Sequence, residues 1–244
     1  METAPADPNN PLFRAANPVL LIGGAPVDMD LLKRLAVDRA LIAADSGADA
    51  AFAAGLVPDL VLGDLDSISD AEQARQRTRV IQIPDQNTTD LQKALAYIEA
   101  PMIVGLGFLG ARFDHSLAAV HALSACTKPQ EILLADTHDV VLRVRGDFAG
   151  NLAPGLRFSI WPLGIQTFRR STGLRYPLDG LTLQSGKMVG TSNEVTAPEV
   201  FIEAGVGQGY LVITPIETID ALLASRLHQP RPGRSSPNSP VQPR

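Results

Sequence analysis

Apolar residues in the first half of the chain come as short unbroken runs, and between the runs the pattern lengthens to a helical period. "PVLLIGG" at 18–24 predicts a strand and "MDLLKRLAV" at 29–37 a helix. The alternation repeats with "ALIAADSG" and "ADAAFAAGL", then with "DLVLGD" and "SDAEQARQR", where Ser69 stands as the expected N-cap. "RVIQIP" precedes "TTDLQKALAYIEA", "PMIVGLG" precedes "RFDHSLAAVHALSAC", and "EILLAD" closes the series. Strands apolar on both faces and joined by helices predict a parallel sheet covered on both sides. After Thr137 the helical period stops. "DVVLRV", "LRFSIWPL", "LTLQSG", "EVFIEAG" and "GYLVITP" are short runs broken by Gly and Pro, the texture of a small antiparallel sandwich.

This pattern divides the chain into a flexible arm over 1–17, an α/β unit over 18–136, an antiparallel β unit over 137–227 and a disordered tail over 228–244, rich in Pro, Ser and Arg. The N-terminal arm lacks the order of regions of a secretory signal, and no apolar run reaches the ~18 residues of a membrane span. Within 244 residues there is one cysteine, Cys126, which reads as a small buried hydrophobe in a cytoplasmic protein. The net charge of −5 argues against a nucleic-acid partner, whose phosphates require a basic face.

Ligands of open parallel sheets bind beyond the carboxyl ends of the strands, and the polar clusters of this chain sit there. The first strand ends in Gly23 and Gly24, the second in Asp45 and Gly47, and the third in Asp64 and Asp66. The fourth runs into Asp85, Gln86, Thr89 and Asp90, and the fifth into Gly105, Arg112, Asp114 and His115. Taken singly, each has a plain structural role: Asp45 and Asp66 as N-caps, Asp90 in a helix's first turn, the glycines in turns. Taken together they differ. Residues two apart in extended chain face one side, so Asp64 and Asp66 share a space with carboxylates from neighbouring strand ends. A carboxylate cluster without Cys or a His pair suits a hard cation, Mg²⁺ above all, which completes its shell with water and substrate phosphates. Glycine turns admit backbone N–H groups to phosphate, and Arg112 offers a planar fork for phosphate oxygens.

The ordered set "ADSGAD", "PDLVLGDLDSI", "PDQNTTDLQKAL", "GLGFLGARFDHSLA", "TGLRYPL" and "GTSNEV" resembles the thiamine pyrophosphokinase (thiamine diphosphokinase) family from about Val19 to Leu223. The resemblance implies a Rossmann-like nucleotide-binding domain followed by a small β-sandwich. It also implies transfer of pyrophosphate from ATP to the hydroxyl of thiamine, and a homodimer with shared active sites. It implies that Asp64, Asp66 and Asp90 bind metal and polyphosphate and, with Arg112, carry the catalysis. Gly24, Asp45, Gly47, Asp64, Thr89, Gly105, Arg112, Asp114 and His115 would contact ATP. Asp45, Gln86, Tyr176, Ser192 and Asn193 would contact thiamine, with Tyr176 facing the thiazolium charge. On the residues alone "GTSNEV" reads as a Gly-led turn, Tyr176 as a packed side chain and Trp161 as core. Two rivals stand beside this reading. One is an aspartate-nucleophile phosphatase, which also ends an apolar strand in D-x-D. The other is a non-catalytic nucleotide-binding sensor.

Overall fold

A computed structural model describes residues 2–3 and 10–227. Its first half follows the predicted alternation: β1 (Glu2–Thr3), β2 (Phe13–Arg14), β3 (Val19–Ile22), α1 (Met29–Ala36), β4 (Ala40–Ala44), α2 (Gly47–Ala53), β5 (Leu60–Gly63), α3 (Ala71–Arg77), β6 (Arg79–Gln82), α4 (Asp90–Tyr97), β7 (Ile98–Glu99), β8 (Met102–Leu106), α5 (Phe113–Ala125) and β9 (Glu131–Ala135). The second half holds β10 (Asp139–Val144), β11 (Phe148–Asn151), β12 (Arg157–Pro162), β13 (Ile165–Thr172), β14 (Thr182–Gln184), β15 (Gly190–Glu194), β16 (Glu199–Gly207), β17 (Tyr210–Pro215) and α6 (Ile219–Leu227).

The order in the large sheet is β1-β6-β5-β4-β3-β8-β9-β10-β17-β12-β15. Pairing is parallel through β9 and antiparallel from β10 onward, with Val140 opposite Ala135 and Thr214 opposite Val140. The fold is thus mixed α/β with parallel and antiparallel parts. A second sheet, β11-β16-β13-β14, faces the antiparallel part. Burial explains the layers. Along β3, Leu20 and Ile22 point into one core with Leu32 and Leu35 of α1 and Leu222 and Leu223 of α6. Val19 and Leu21 point into another, with Leu91 and Leu95 of α4 and Ala119 and Leu123 of α5. The first core runs on without a break to Phe148, Phe158, Phe168 and Tyr210 between the two sheets. The sheet and this core therefore cross the expected boundary near 136, because β10 folds back on β9.

Four local expectations are corrected. Residues 10–17 are not a loose arm: Phe13–Arg14 pair with Ile98–Glu99, and Leu12 and Phe13 pack on the α4/α5 core. "GTSNEV" lies in strand β15 rather than in a turn. Helical structure returns after Thr137 as α6, whose Ile219 and Leu222 complete the core. Asp70, not Ser69, caps α3 through the Gln73 N–H, while the Ser69 hydroxyl donates to Asp49. The expected disordered tail lies outside the described residues. No described helix is long and apolar enough to cross a membrane.

Candidate active site at the strand ends

Asp45 follows β4 in a left-handed conformation (φ 48°), its N–H donating to the Leu62 carbonyl at 2.9 Å. Gly63 makes this approach possible: a Cβ there would stand 3.0 Å from the Asp45 Cβ. The side chain is buried, and its Oδ1 has no hydrogen-bond partner. An unpaired buried carboxylate oxygen is costly. Burial, together with the negative charges of Asp90, Asp64 and Asp66, pushes the Asp45 carboxyl up to about 6.

Asp64 and Asp66 follow β5, separated by Leu65 at φ 68°. Asp45, Asp64 and Asp66 each offer an oxygen, and the three oxygens lie within 4.8 Å of one another. Asp90 is outside this group. It opens α4, behind a capping box in which Thr89 Oγ1 accepts from the Gln92 N–H and Gln92 Oε1 accepts from the Thr89 N–H. Between Asp90 and Asp64 stands Lys93, 3% exposed, its Nζ 2.7 Å from Asp64 Oδ2 and 3.4 Å from Asp90 Oδ1. Burial alone would push the Lys93 ammonium down; its hydrogen bond to Asp64 and the charges of Asp90 and Asp64 outweigh that and hold it above the lysine range. Burial likewise works against ionisation of Asp64, but Lys93 reverses it and holds that carboxyl low. Burial raises the Asp90 carboxyl despite Lys93.

Asp64 Oδ2 also accepts from Gln86 Nε2 at 3.2 Å. The donor set fits a hard divalent cation at Asp45, Asp64 and Asp66: three carboxylates, one of which keeps a buried oxygen without a partner. Of the expected set, Asp90 stands outside this 4.8 Å group, on the other side of the Lys93 ammonium from Asp64.

A cavity of about 400 Å³ opens beside these groups, with Gly24, Asp64, Thr89, Asp90, Arg112 and His115 in its wall. Other expected residues have different places. Gly47 does not line the cavity; a Cβ there would meet the Ile22 carbonyl at 2.1 Å, so its missing side chain lets α2 pack on β3. Gly105 lies within β8 and gives room to Leu134 and Phe108. Asp114 pairs with Arg112 through Nη2 at 2.6 Å and Nε at 3.1 Å. Asp85 caps its own turn, accepting from the Asn87 N–H and the Thr88 hydroxyl.

Of the thiamine-side residues, Asp45 and Gln86 stand at the carboxylates, and Tyr176, Ser192 and Asn193 lie elsewhere. Ser192 (φ 61°) and Asn193 are on β15, at the far end of the sheet and seven strands from β4, about 35 Å along the sheet. Asn193 is buried and pins the Tyr176 turn: its Oδ1 accepts from the Tyr176 and Glu194 N–H groups, and its Nδ2 donates to the Tyr176 carbonyl. The Tyr176 side chain is exposed rather than packed, and Trp161 is partly buried against the α5 core. One chain does not bring these residues to the carboxylates. Lys93, Ser46, Thr88 and Phe108 are among the cavity residues that the strand-end reading missed. The signal for Lys93 was its i,i+3 spacing from Asp90 on α4.

Residues 32–134 match the family model "Thiamin pyrophosphokinase, catalytic domain", and residues 154–208 match "Thiamin pyrophosphokinase, vitamin B1 binding domain". Thiamin pyrophosphokinase 1 of Caenorhabditis elegans is 34% identical over 164 residues, 60% of this chain and 66% of that protein. Thiamine pyrophosphokinase 3 of Oryza sativa subsp. japonica is 29% identical over 164 residues, 57% of this chain and 58% of that protein. The match thus spans slightly less than two thirds of these curated relatives. The crystal structure of thiamine pyrophosphokinase from Bacillus subtilis shares the fold at a TM-score of 0.66 and 22% identity, covering 82% of this chain and 98% of that one. Thiamin pyrophosphokinase from Candida albicans does so at 0.68 and 18%, covering 88% and 95%. With both halves matched in order, and the acidic strand ends inside the first, the chain belongs to the thiamin pyrophosphokinase family.

Proposed function

We propose that this chain is a thiamine diphosphokinase, transferring the diphosphoryl group of ATP to the hydroxyl of thiamine and releasing AMP. The observation that carries the reading is the Asp45–Asp64–Asp66 group, with its orphaned buried oxygen on Asp45 and with Asp64 in the wall of a cavity, in a chain matched by both the catalytic and the vitamin B1 binding models. Asp45, Asp64 and Asp66 would hold Mg²⁺, which when bound neutralises charge on the β and γ phosphates. The chain's own residues do the positioning. Lys93 and Gln86 fix the Asp64 carboxylate in one orientation. Arg112, on the cavity rim, exchanges its bond to Asp114 for phosphate oxygens. The thiamine oxygen attacks the β-phosphorus and AMP departs, with orientation and charge compensation supplying most of the rate gain.

The active enzyme in this reading is a cytoplasmic homodimer. The distance between β4 and β15 supports it: a two-fold pair could set Ser192 and Tyr176 of one protomer against the carboxylates of its partner. The parallel part is then the Rossmann-like nucleotide unit and the antiparallel part the sandwich that holds thiamine. The decisive assay supplies ATP, Mg²⁺ and thiamine and measures AMP and thiamine diphosphate. Asp66→Asn should lower turnover at least about a hundredfold with the fold intact. Full activity of that variant at limiting Mg²⁺ would sink the assignment. Mixing Asp66→Asn chains with Asn193→Ala chains, at thiamine low enough to expose the raised KM of the latter, should give more activity than the two preparations summed if sites are shared.

A further inference from the structure

Phe108 sits on two glycines. A Cβ at Gly23 would stand 2.6 Å from Phe108 Cε1 and 2.8 Å from Cδ1. A Cβ at Gly105 would stand 3.2 Å from Phe108 Cδ2 and 3.4 Å from Cε2. The two glycines point to the same face of the sheet, because Gly105 pairs with Leu21 on β3 and Gly23 lies two residues beyond Leu21. One edge of the ring therefore lies over Gly23 and the other over Gly105, so the ring bridges two neighbouring strands. The loop that carries it is fixed: Gly107 turns at φ 76°, the Gly23 N–H donates to the Leu106 carbonyl at 2.8 Å, and the Ala25 N–H donates to the Gly107 carbonyl at 2.9 Å.

This ring is partly buried and lines the same cavity as Asp64 and Lys93, with Leu109, Ala111 and Pro26 also in the wall. The strand that leads to Phe108, β8, is three strands from β5, about 14 Å across the sheet. One cavity thus joins a flat aromatic wall to a site for phosphate-bound cation. A nucleoside triphosphate has that layout, with a planar base at one end and the β-phosphate at the other. We propose that Phe108 is the platform on which the purine of ATP stacks. The inference rests on the proposed reading of ATP as a substrate and adds a residue that sets base recognition.

The test measures binding of ATP and of inorganic tripolyphosphate, which lacks the base, by calorimetry with Mg²⁺ on the full chain. Phe108→Leu should weaken ATP about tenfold, the scale of one base–aromatic stack, and leave tripolyphosphate within about twofold. Phe108→Tyr should keep ATP affinity. Unchanged ATP affinity in Phe108→Leu would overturn the proposal, and so would equal weakening of both ligands, which marks a wedge that supports the fold. Wild-type protein that binds no ATP would overturn the functional reading together with this one; wild-type binding with an unaffected Phe108→Leu removes the platform alone. As a variant that keeps an aromatic ring, Phe108→Trp in a Trp161→Phe background should show indole quenching by ATP and none by tripolyphosphate. Identical responses to the two ligands would also overturn it.

Discussion

The two ends of the large sheet carry polar groups in opposite states. At β4 and β5 the charges are in excess: four carboxylates share one ammonium, and Asp45 keeps an oxygen with no partner. At β15 the buried amide of Asn193 makes three hydrogen bonds, all to backbone, and holds a turn. Unsatisfied buried polarity is what a ligand can repay, and satisfied polarity is architecture. The difference teaches that membership of a motif does not make a residue a ligand contact. Asn193 spends its amide on the backbone around Tyr176, whereas Asp45 is left short of a partner inside the chain.

The largest expected effect removes the cation from the crowded end. Lys93→Met keeps length and fills the same space but leaves Asp64 and Asp90 uncompensated. Removing one member of a buried ion pair costs about 3–5 kcal/mol, and the 40% exposed Asp90 side chain puts this case at the lower end. Urea unfolding without metal should show a loss of about 3 kcal/mol. Millimolar Mg²⁺ should restore part of it, since a second cation serves the same carboxylates. A loss below about 0.5 kcal/mol would mean that the cluster is balanced without Lys93.

Much of this was legible beforehand, and the limits are physical. The strand–helix alternation to β9 follows from local periodicity, and Thr89 as a cap follows from its position before Asp90. Carboxylates at consecutive strand ends are visible in the chain order. What bridges them is not. Lys93 at i+3 from Asp90 has the spacing of an ordinary surface pair, and only the arrival of Asp64 from β5 makes it a buried clamp. The approach of Asp45 to Asp64 and Asp66 depends on a left-handed residue beside Gly63, which no propensity announces. Extension of the sheet beyond β10 depends on β10 pairing with β17, some seventy residues later in the chain. The helix α6 follows a run of strands directly, and the sequence pattern assigns its segment to no element of its own.

A smaller effect, of opposite sign, tests the cost of the orphaned oxygen. The folded Asp45 carboxyl titrates near 6, against an ordinary value of 3.8. The folded state therefore holds the proton more tightly than the unfolded chain. Below pH 3.8 both states are protonated and nothing is lost. Between about pH 4 and 6 ionisation progressively destabilises the fold, and above 6 the full penalty, about 3 kcal/mol at most, is present. Asp45→Asn should accordingly stabilise the metal-free protein by about 2 kcal/mol at pH 8 and by nothing at pH 4. The gain should shrink in Mg²⁺. Equal unfolding midpoints at both pH values would show that Asp45 is not the strained member.

The smallest effects belong to the quiet end of the sheet, where neighbouring residues should part company. Asn193→Ala deletes two acceptor contacts and one donor contact around Tyr176 and Glu194, and the partly buried N–H groups left behind make this cost about 2 kcal/mol. The Ser192 hydroxyl is exposed, and Ser192→Ala should change stability by no more than about 0.5 kcal/mol. Function should divide the other way. Ser192→Ala removes a hydroxyl proposed to face thiamine, so the KM for thiamine should rise about threefold to tenfold while that for ATP stays fixed. Asn193→Ala should raise the thiamine KM only to the extent that the Tyr176 turn loosens, and lowering the temperature should recover it. If Ser192→Ala instead lowers the melting temperature as much as Asn193→Ala and leaves the thiamine KM unchanged, β15 is scaffold throughout, and the second substrate sits elsewhere.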